Sequence, residues 1–278
     1  MHPILYQWSP GGFITWYTVL TYSGYLLGIV WLRTQLKYHL PAPPRIFWAL
    51  VATLFVAALS GGKLGFFWFE WKDVSDDPWF YLKHPNVGWV FWTGVLAACA
   101  AGLGFQAWYN RRHRPRAYLP IADYFITGLS MGHVLGRIGC FLQGCCHGRP
   151  TDFPVSVIFT KRYCDVPKEL LGVPLHPTQL YEAFGSFVAA VALIGWVLPA
   201  IRNAKLRYGT AFFGYLLYYS LLRFSLEFLR GDERGRLLSS ALSPSQWVSL
   251  FAGLTAAIVL WKRGVVERDP KGRSIYKS

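Results

Sequence analysis

The chain has 278 residues, of which 53% are hydrophobic, 18% are aromatic and only 15% are charged. A soluble domain carries about 25% charged residues and a disordered chain is polar with few aromatics, so this composition excludes disorder and argues against a soluble protein. The net charge of +14 does not indicate a nucleic-acid partner, because the basic residues lie between long apolar runs and form no basic stripe on a soluble domain.

Seven stretches are long and apolar enough to cross a bilayer as helices, since a hydrocarbon core of about 30 Å needs about 20 apolar residues. They are residues 13–32, 46–69, 88–109, 119–143, 179–200, 209–229 and 245–261. We therefore expect an all-α integral membrane protein with seven transmembrane helices, forming a single domain over residues 1–278. No basic region precedes the first stretch, so we expect it to be a retained helix and not a signal peptide.

Lysine and arginine are concentrated in alternate connections between these stretches. The run from Arg111 to Arg116 follows the third stretch, and the connections after the first and fifth stretches and the C-terminal tail are also basic. Because basic loops face the cytoplasm, we expect the N-terminus outside and the C-terminus in the cytoplasm. The segment 144–178 is then a small external, periplasmic subdomain rich in Pro and Gly, in which residues 155–159 are expected to form a short strand.

Six charged residues lie inside the apolar stretches, where each costs about 2.5–3.5 kcal/mol unless it has a partner or a wet cavity. They are Lys63, Asp123, Arg137, Glu182, Arg223 and Glu227. In the predicted orientation, all except Asp123 fall in the outer half of the membrane, on four different spans. We therefore predict a polar cavity at the level of the outer leaflet. The alternative is structural ion pairing, with long side chains that reach to the interface.

The sixth stretch places three polar side chains on one helical face, because Tyr219, Arg223 and Glu227 recur every four residues. Arg223 and Glu227 are spaced for an intrahelical ion pair, and a guanidinium presents a donor fork that suits a phosphate. His133 and Arg137 are also four residues apart, in the fourth stretch. That stretch also carries a face of small residues suited to close helix packing, formed by Gly128, Gly132 and Gly136.

The cysteines raise the question of a metal site. Cys140, Cys145, Cys146 and His147 lie close together, but adjacent cysteines without a second CxxC pair fit the spacing of zinc ligands poorly. We therefore predict no metal site and expect the cysteines to be buried as small apolar side chains. The sequence leaves open whether Cys145, Cys146 or Cys164 takes part in a disulfide.

The segment Gly132–Thr151, GHVLGRIGCFLQGCCHGRPT, resembles the signature of the bacterial prolipoprotein diacylglyceryl transferases. Two further blocks agree, LHPTQLYE at residues 175–182 and RFSLEFLR at residues 223–230. Trp16–Tyr17 and the GGKLG of residues 61–65 resemble weaker blocks of the same family. The matches run in family order from about residue 13 to residue 232, so the resemblance covers most of the chain.

The resemblance implies a multi-pass enzyme of the bacterial inner membrane whose active site faces the outer leaflet. Members of the family move the diacylglyceryl group of phosphatidylglycerol onto the lipobox cysteine of a preprolipoprotein, so that a thioether forms and glycerol phosphate leaves. The implied partners are phosphatidylglycerol, the preprolipoprotein signal peptide and membrane lipid, with no cofactor. By resemblance, the important positions are Tyr17, Arg137, Gly148, Tyr219, Arg223 and Glu227.

These positions suggest a division of roles. We assign a phosphate clamp to Arg137 and Arg223, placed to neutralise charge as the phosphate leaves. Glu227 and His133 are the candidates for a catalytic base. The candidate residues for binding phosphatidylglycerol are Arg137, Arg223, Tyr17, Tyr219, Gly148 and Lys63. For the two tyrosines, the alternative is an interfacial aromatic belt.

The sequence departs from the family pattern at three positions. Trp92 stands where the family usually has His or Tyr, Lys63 where it usually has Arg, and Cys140 where many members have Asn. Because an indole offers only a donor, Trp92 cannot act as a base, and the identity of the base stays open. The alternative function is therefore that of a divergent, non-catalytic paralogue that binds or moves anionic phospholipid.

Overall fold

The computed structural model describes residues 3–9, 12–38, 43–83, 88–112, 118–160, 164–232 and 242–264. Within these ranges the chain is mostly helical. The helices are α1 (Trp16–Tyr38), α2 (Pro44–Phe69), α3 (Trp71–Val74), α4 (Pro78–Lys83), α5 (Phe91–Arg112), α6 (Tyr118–Gln143), α7 (Thr178–Ala192), α8 (Leu198–Arg202), α9 (Thr210–Glu227) and α10 (Pro244–Arg263). The strands are β1 (Ile4–Ser9), β2 (Gly12–Thr15), β3 (Val157–Ile158) and β4 (Pro174–Leu175). A 3₁₀ turn spans Lys168–Leu170, and a π-helical segment, Leu193–Val197, joins α7 to α8.

Every predicted apolar stretch coincides with a helix, and four helices in the described part of the chain are long and apolar enough to cross a membrane. These four are Pro44–Phe69, Leu119–Gln143, Thr178–Arg202 and Pro244–Arg263. Large apolar side chains point outward from them, with Phe184 69% exposed and Trp261 82% exposed. An outer surface of this kind suits contact with lipid. The chain thus has the character of a multi-pass membrane protein, while seven spans and their orientation stay predictions.

The described chain forms two compact units, residues 1–35 with 119–278, and residues 36–118. In the second unit, α2 packs closely against α5. A Cβ atom on Gly65 would lie 2.0 Å from the Thr93 hydroxyl, so only glycine permits this approach. Gly88 has a φ of +74°, outside the right-handed helical region, so the helix cannot begin there as expected, and α5 begins at Phe91. The single domain expected over residues 1–278 stays a prediction.

In the first unit, α1 packs against α6 through facing glycines. A Cβ atom on Gly24 would lie 2.8 Å from the carbonyl oxygen of Gly132, and one on Gly28 would lie 3.4 Å from that of Gly128. The predicted small-residue face of α6 is therefore confirmed at Gly128 and Gly132. Gly136 is different, because a Cβ atom there would have no neighbour within 4 Å.

Two short antiparallel sheets flank the helices of this unit. β1 pairs with β2, so residues 12–15 are extended and the first helix begins at Trp16, later than the predicted residue 13. β3 pairs with β4, and the strand expected over residues 155–159 is confirmed only at Val157–Ile158. Around this second sheet, the segment 144–178 has a small apolar core of Phe159, Cys164, Val166 and Leu175.

Asp123, the charge predicted to lie apart from the others, binds the start of α9. Its Oδ2 accepts a hydrogen bond of 2.6 Å from the backbone N–H of Gly209, and its Oδ1 accepts one of 2.9 Å from that of Phe212. The first backbone N–H groups of a helix have no partner within the helix. Asp123 supplies partners for this end, and so α6 fixes the helix that carries Tyr219 and Arg223.

Candidate functional site

The centre of the polar site is Glu182 on α7, whose side chain is 1% exposed. Its Oε1 lies 2.9 Å from Nη2 of Arg137 on α6, and it accepts a 2.6 Å hydrogen bond from the Tyr219 hydroxyl on α9. The Tyr219 ring stacks on Tyr215, with ring centroids 5.8 Å apart. One carboxylate therefore joins three helices. The sequence indicates Glu182 as one of the charges of the predicted polar cavity, but Glu182 was not among the residues given a role in the site.

His133 supports Arg137 from the preceding turn of α6. Nε of Arg137 donates a 3.1 Å hydrogen bond to Nε2 of His133, while Nδ1 of His133 lies 3.2 Å from the Ser186 hydroxyl. Because Nε2 accepts, the ring is neutral and its proton sits on Nδ1. Its 3.6 Å approach to Glu182 is then a contact between neutral and charged groups and not an ion pair. The lone pair that a base would use is already engaged by Arg137.

The predicted pair on α9 is confirmed, with Nη2 of Arg223 lying 2.6 Å from Oε2 of Glu227. Both side chains are 8% exposed. The start of α10 anchors the pair, because the Ser243 hydroxyl donates a 2.7 Å hydrogen bond to Oε1 of Glu227 and Nη2 of Arg223 donates one of 3.3 Å to the Ser245 hydroxyl. Glu227 is therefore engaged on both of its oxygens.

The two arginines are linked through Glu182, which binds Arg137 directly and accepts a hydrogen bond from Tyr219, one turn before Arg223 on α9. Each is held through Nη2 by a carboxylate, Arg137 by Glu182 and Arg223 by Glu227. Nη1 of Arg223 is buried and has no hydrogen-bond partner among the described residues. Arg137 likewise bonds the described chain only through Nε and Nη2. Fixed guanidiniums with donors to spare are suited to binding an anion such as phosphate.

The LHPTQLYE block holds the double-cysteine turn in place. The Thr178 hydroxyl donates a 2.9 Å hydrogen bond to the carbonyl oxygen of Cys146, and Nε2 of Gln179 donates one of 2.8 Å to that of Cys145. Both donors lie in the first turn of α7, just ahead of Glu182. The same helix therefore positions both the turn and the partner of Arg137.

Gly148 lies where three segments of the backbone meet. Its N–H donates a 3.0 Å hydrogen bond to the carbonyl oxygen of His176, and the N–H of Arg149 donates one of 2.9 Å to that of Leu229. A Cβ atom on Gly148 would lie 2.5 Å from the His176 oxygen and 2.9 Å from the Leu229 oxygen. Since neither contact is possible for another residue without backbone movement, glycine at this position joins the three signature blocks.

Arg230, which was not singled out from the sequence, is a third arginine beside the site and is buried. Its Nε and Nη2 donate hydrogen bonds of 2.8 and 2.7 Å to the two carboxylate oxygens of Asp232, and its Nε lies 4.0 Å from Glu227. Burial opposes its charge, but the hydrogen bonds and charge of Asp232, together with the neighbouring Cys146, raise the pKa of Arg230. It also contacts the thiol of Cys146. The feature of the sequence that could have indicated Arg230 is its position within the RFSLEFLR block.

Three thiols come together at the end of α6. The Sγ atoms of Cys140, Cys145 and Cys146 all lie within 4.8 Å of one another. All five cysteines of the chain are described and none is in a disulfide. The sequence spacing had argued against a metal site and did not predict this convergence.

Tyr17 and Lys63 are the remaining residues predicted to bind phosphatidylglycerol. Tyr17 packs on α6, where a Cβ atom on Gly139 would lie 3.2 Å from its Cα, and is 40% exposed. Lys63 belongs to the unit of residues 36–118, where its Nζ lies 5.4 Å from the centroid of the Trp89 ring. Its place beside the arginines stays a prediction. Trp92 lies in the first turn of α5, but its side chain is outside the described part.

Comparison with known proteins identifies the family. A family model described as "Prolipoprotein diacylglyceryl transferase" matches residues 3–262. The chain is 32% identical over 273 residues, 95% of its length, to the phosphatidylglycerol–prolipoprotein diacylglyceryl transferase of Cupriavidus pinatubonensis, and covers 93% of that protein. It is 30% identical over 251 residues to the enzyme of that name from Clostridium tetani, covering 90% of this chain and 93% of the relative. The chain therefore belongs to the prolipoprotein diacylglyceryl transferase family.

Proposed function

We propose that this chain transfers the diacylglyceryl group of phosphatidylglycerol to the lipobox cysteine of a preprolipoprotein, the first step of lipoprotein maturation. The observation that carries the proposal is the arrangement of two arginines on α6 and α9. Glu182 binds both Arg137 and Tyr219, and Tyr219 lies one turn before Arg223 on the same face of α9. Relatives that carry this activity in their names cover nearly the whole chain. The enzyme is thus a transferase of an alkyl group.

The arginine pair explains how a lipid phosphate is held in a low-dielectric site. Arg137–Glu182 and Arg223–Glu227 are each close to neutral as pairs, so neither guanidinium is a charge without a partner. Each carboxylate fixes its guanidinium through Nη2, which leaves Nη1 to donate to a phosphate oxygen. Donors that are already oriented need no reorganisation when charge develops on the leaving phosphate.

The reaction is a displacement at the carbon of the diacylglyceryl group that bears the phosphate. The acceptor thiol loses its proton, the thiolate sulfur forms a bond to that carbon, and the carbon–oxygen bond breaks with its electron pair staying on the phosphate. A thioether and glycerol phosphate result. Arg137 and Arg223 stabilise the negative charge of the leaving group, and nearby guanidiniums also favour the thiolate form of the acceptor.

The neighbouring residues position this pair. Tyr219 holds Glu182, and His133 accepts a hydrogen bond from Arg137, so we assign both a positioning role. Gly148 keeps the signature blocks together. Tyr17, next to Gly139 on α6, is the candidate for contact with head-group oxygens. Lys63 stays the candidate for a further cation at the head group.

We place the enzyme in the bacterial inner membrane, with its active site toward the outer leaflet. The alternation of basic connections supports this orientation. The outward-facing apolar side chains of the long helices support a lipid environment. The acyl chains of the substrate would then remain in the bilayer, extending sideways between helices, while the head group reaches the arginines.

Complementation of a transferase-depleted bacterial strain tests the proposal. We expect the unsubstituted chain to restore growth, and membranes that contain it to label a lipobox peptide from phosphatidylglycerol. Arg137→Ala or Arg223→Ala should abolish labelling, whereas Lys168→Ala, which removes a cation from an exposed 3₁₀ turn, should not. Movement of lipid across the bilayer without a thioether product would reject the transferase in favour of a non-catalytic paralogue.

A further inference from the structure

The three clustered thiols belong to two adjoining segments. Cys140 lies in the last turn of α6, and Cys145 and Cys146 follow in the turn that leaves the helix. Gly144 has a φ of +86° and Cys146 a φ of +61°. A residue other than glycine rarely adopts this left-handed conformation, which costs of the order of 1–3 kcal/mol. The fold therefore maintains a strained backbone where the chain reverses and the sulfur atoms meet.

The separation of the sulfur atoms suits one soft metal ion. A zinc–sulfur bond of about 2.3 Å places the sulfurs of a tetrahedral site about 3.8 Å apart. The three Sγ atoms lie within 4.8 Å of one another, close to that separation. Thiolates select zinc or monovalent copper, whereas magnesium and calcium prefer oxygen ligands.

The surroundings also balance the charge of such a site. Three thiolates around a divalent cation carry a net charge of about −1. Arg230 contacts the Cys146 thiol, and the charge of Arg137 acts on both Cys140 and Cys146. A buried group with this net charge needs such compensation.

We propose that Cys140, Cys145 and Cys146 bind one thiophilic metal ion, with Zn²⁺ as the expected ion, and leave its fourth coordination position open. Among the His, Cys, Asp and Glu side chains that the structure describes, no fourth ligand joins the three thiols. Three protein ligands with one open position are typical of catalytic zinc sites, whereas structural zinc is enclosed by four.

The open position suits the thiol of the acceptor, an assignment that rests on the proposed function. The acceptor thiol would replace a metal-bound water, bind through sulfur as a thiolate and release its proton to solvent, with no change of oxidation state. A coordinating metal deprotonates a thiol. Cys140 follows Arg137 by three residues on α6, so the bound thiolate and the lipid phosphate would share one site. This arrangement supplies a thiolate without the base that the sequence lacks at Trp92.

Titration of the purified, reduced, full-length chain with Co²⁺ tests the metal site without reference to activity. We expect one Co²⁺ per chain, with sulfur-to-cobalt charge-transfer bands that Zn²⁺ abolishes. Cys145→Ser should weaken binding by more than about tenfold. Cys99→Ser, an exposed cysteine in the other unit, should leave it unchanged. Absence of these bands in the unsubstituted chain, or their persistence in the triple variant C140S/C145S/C146S, would overturn the proposal.

Alkylation of the unsubstituted chain tests the same site without a substitution that disturbs folding. Mass spectrometry should show Cys140, Cys145 and Cys146 modified by iodoacetamide in the absence of Zn²⁺ and protected in its presence. Equal modification of the three thiols with and without Zn²⁺, or a disulfide among them in protein isolated from cells, would contradict the site.

The acceptor's part is tested by adding a lipobox peptide to the Co²⁺-loaded chain. The cysteine peptide should shift the cobalt bands, and the same peptide with serine should not. Unchanged bands would overturn the acceptor role. Transfer by a variant that no longer binds Co²⁺ would overturn the role of the metal and leave the proposed function intact. If the chain binds Co²⁺ but neither the unsubstituted chain nor any variant transfers the diacylglyceryl group, the proposed function is rejected and the metal site stands.

Discussion

Glu182 on α7 lies 2.9 Å from Arg137 on α6, measured between Oε1 and Nη2, and both side chains are largely buried. Breaking a buried ion pair by removing one partner costs about 3–5 kcal/mol, because the other charge is left uncompensated. The orientation of Arg137 therefore depends on a residue that belongs to another signature block. This dependence links the GHVLGRIG and LHPTQLYE segments physically.

Glu182→Gln tests that dependence. The variant keeps the shape of the side chain but removes the charge that fixes Arg137, so we expect transfer to a lipobox peptide to fall about 100-fold, as for a misplaced catalytic group. Glu169→Gln is the matched control, since Glu169 lies exposed in the 3₁₀ turn. Thermal unfolding in detergent checks that the variant is folded. Unaltered transfer by folded Glu182→Gln would remove Glu182 from the site.

Tyr219→Phe removes one hydroxyl from the same network. The lost 2.6 Å hydrogen bond to Glu182 is of the charged kind, which contributes about 1.5–3 kcal/mol. If this appears fully in the barrier, the transfer rate falls about tenfold to 100-fold. Tyr22→Phe, on an exposed position of α1, serves as the control. A wild-type rate for Tyr219→Phe would contradict the positioning role of the hydroxyl.

Gly148→Ala tests a backbone requirement. The added methyl group would lie 2.5 Å from the His176 carbonyl oxygen, so the three joined segments must separate. We expect a lower unfolding temperature and loss of transfer together. Gly214→Ala on α9, where a Cβ atom has no neighbour within 4 Å, should keep the wild-type unfolding temperature and transfer activity. Loss of transfer at an unchanged unfolding temperature would instead indicate that Gly148 contacts the substrate directly.

Asp123→Ala tests the anchoring of α9. The backbone N–H groups of Gly209 and Phe212 would lose their partner, at a cost of about 1–3 kcal/mol for each buried group left unsatisfied. We expect Asp123→Ala to lower the unfolding temperature in detergent. The control Asp165→Ala should unfold close to the wild-type temperature, because Asp165 is exposed. Equal stability of the two variants would mean that α9 does not need this cap.

Much of the helical arrangement could be predicted from local patterns. Apolar length placed a helix at every predicted stretch, and the four-residue spacing of Arg223 and Glu227 predicted their ion pair. The glycine spacing predicted close packing, which the structure shows at Gly128 and Gly132. These features depend on helical periodicity alone. Hydropathy and loop charge do not by themselves establish seven spans or their orientation.

The contacts between distant segments could not be predicted in the same way. Glu182 is 45 positions from Arg137 in the sequence, and nothing in its own neighbourhood indicates that partner. The thiol cluster depends on the left-handed backbone at Cys146, which spacing rules for zinc ligands do not consider. His133 was a candidate base from its residue type, but its hydrogen bond from Arg137 favours a positioning role. Tertiary contacts decide each of these roles.

The most direct test of the account is a double-mutant cycle on the dissociation constant of phosphatidylglycerol, using Arg137→Ala, Arg223→Ala and the double variant in purified protein. If both guanidiniums bind one phosphate, each single variant weakens binding, and the second substitution costs much less once the first is present. Free energies that simply add, or an unchanged dissociation constant in either single variant, would contradict a shared head-group site.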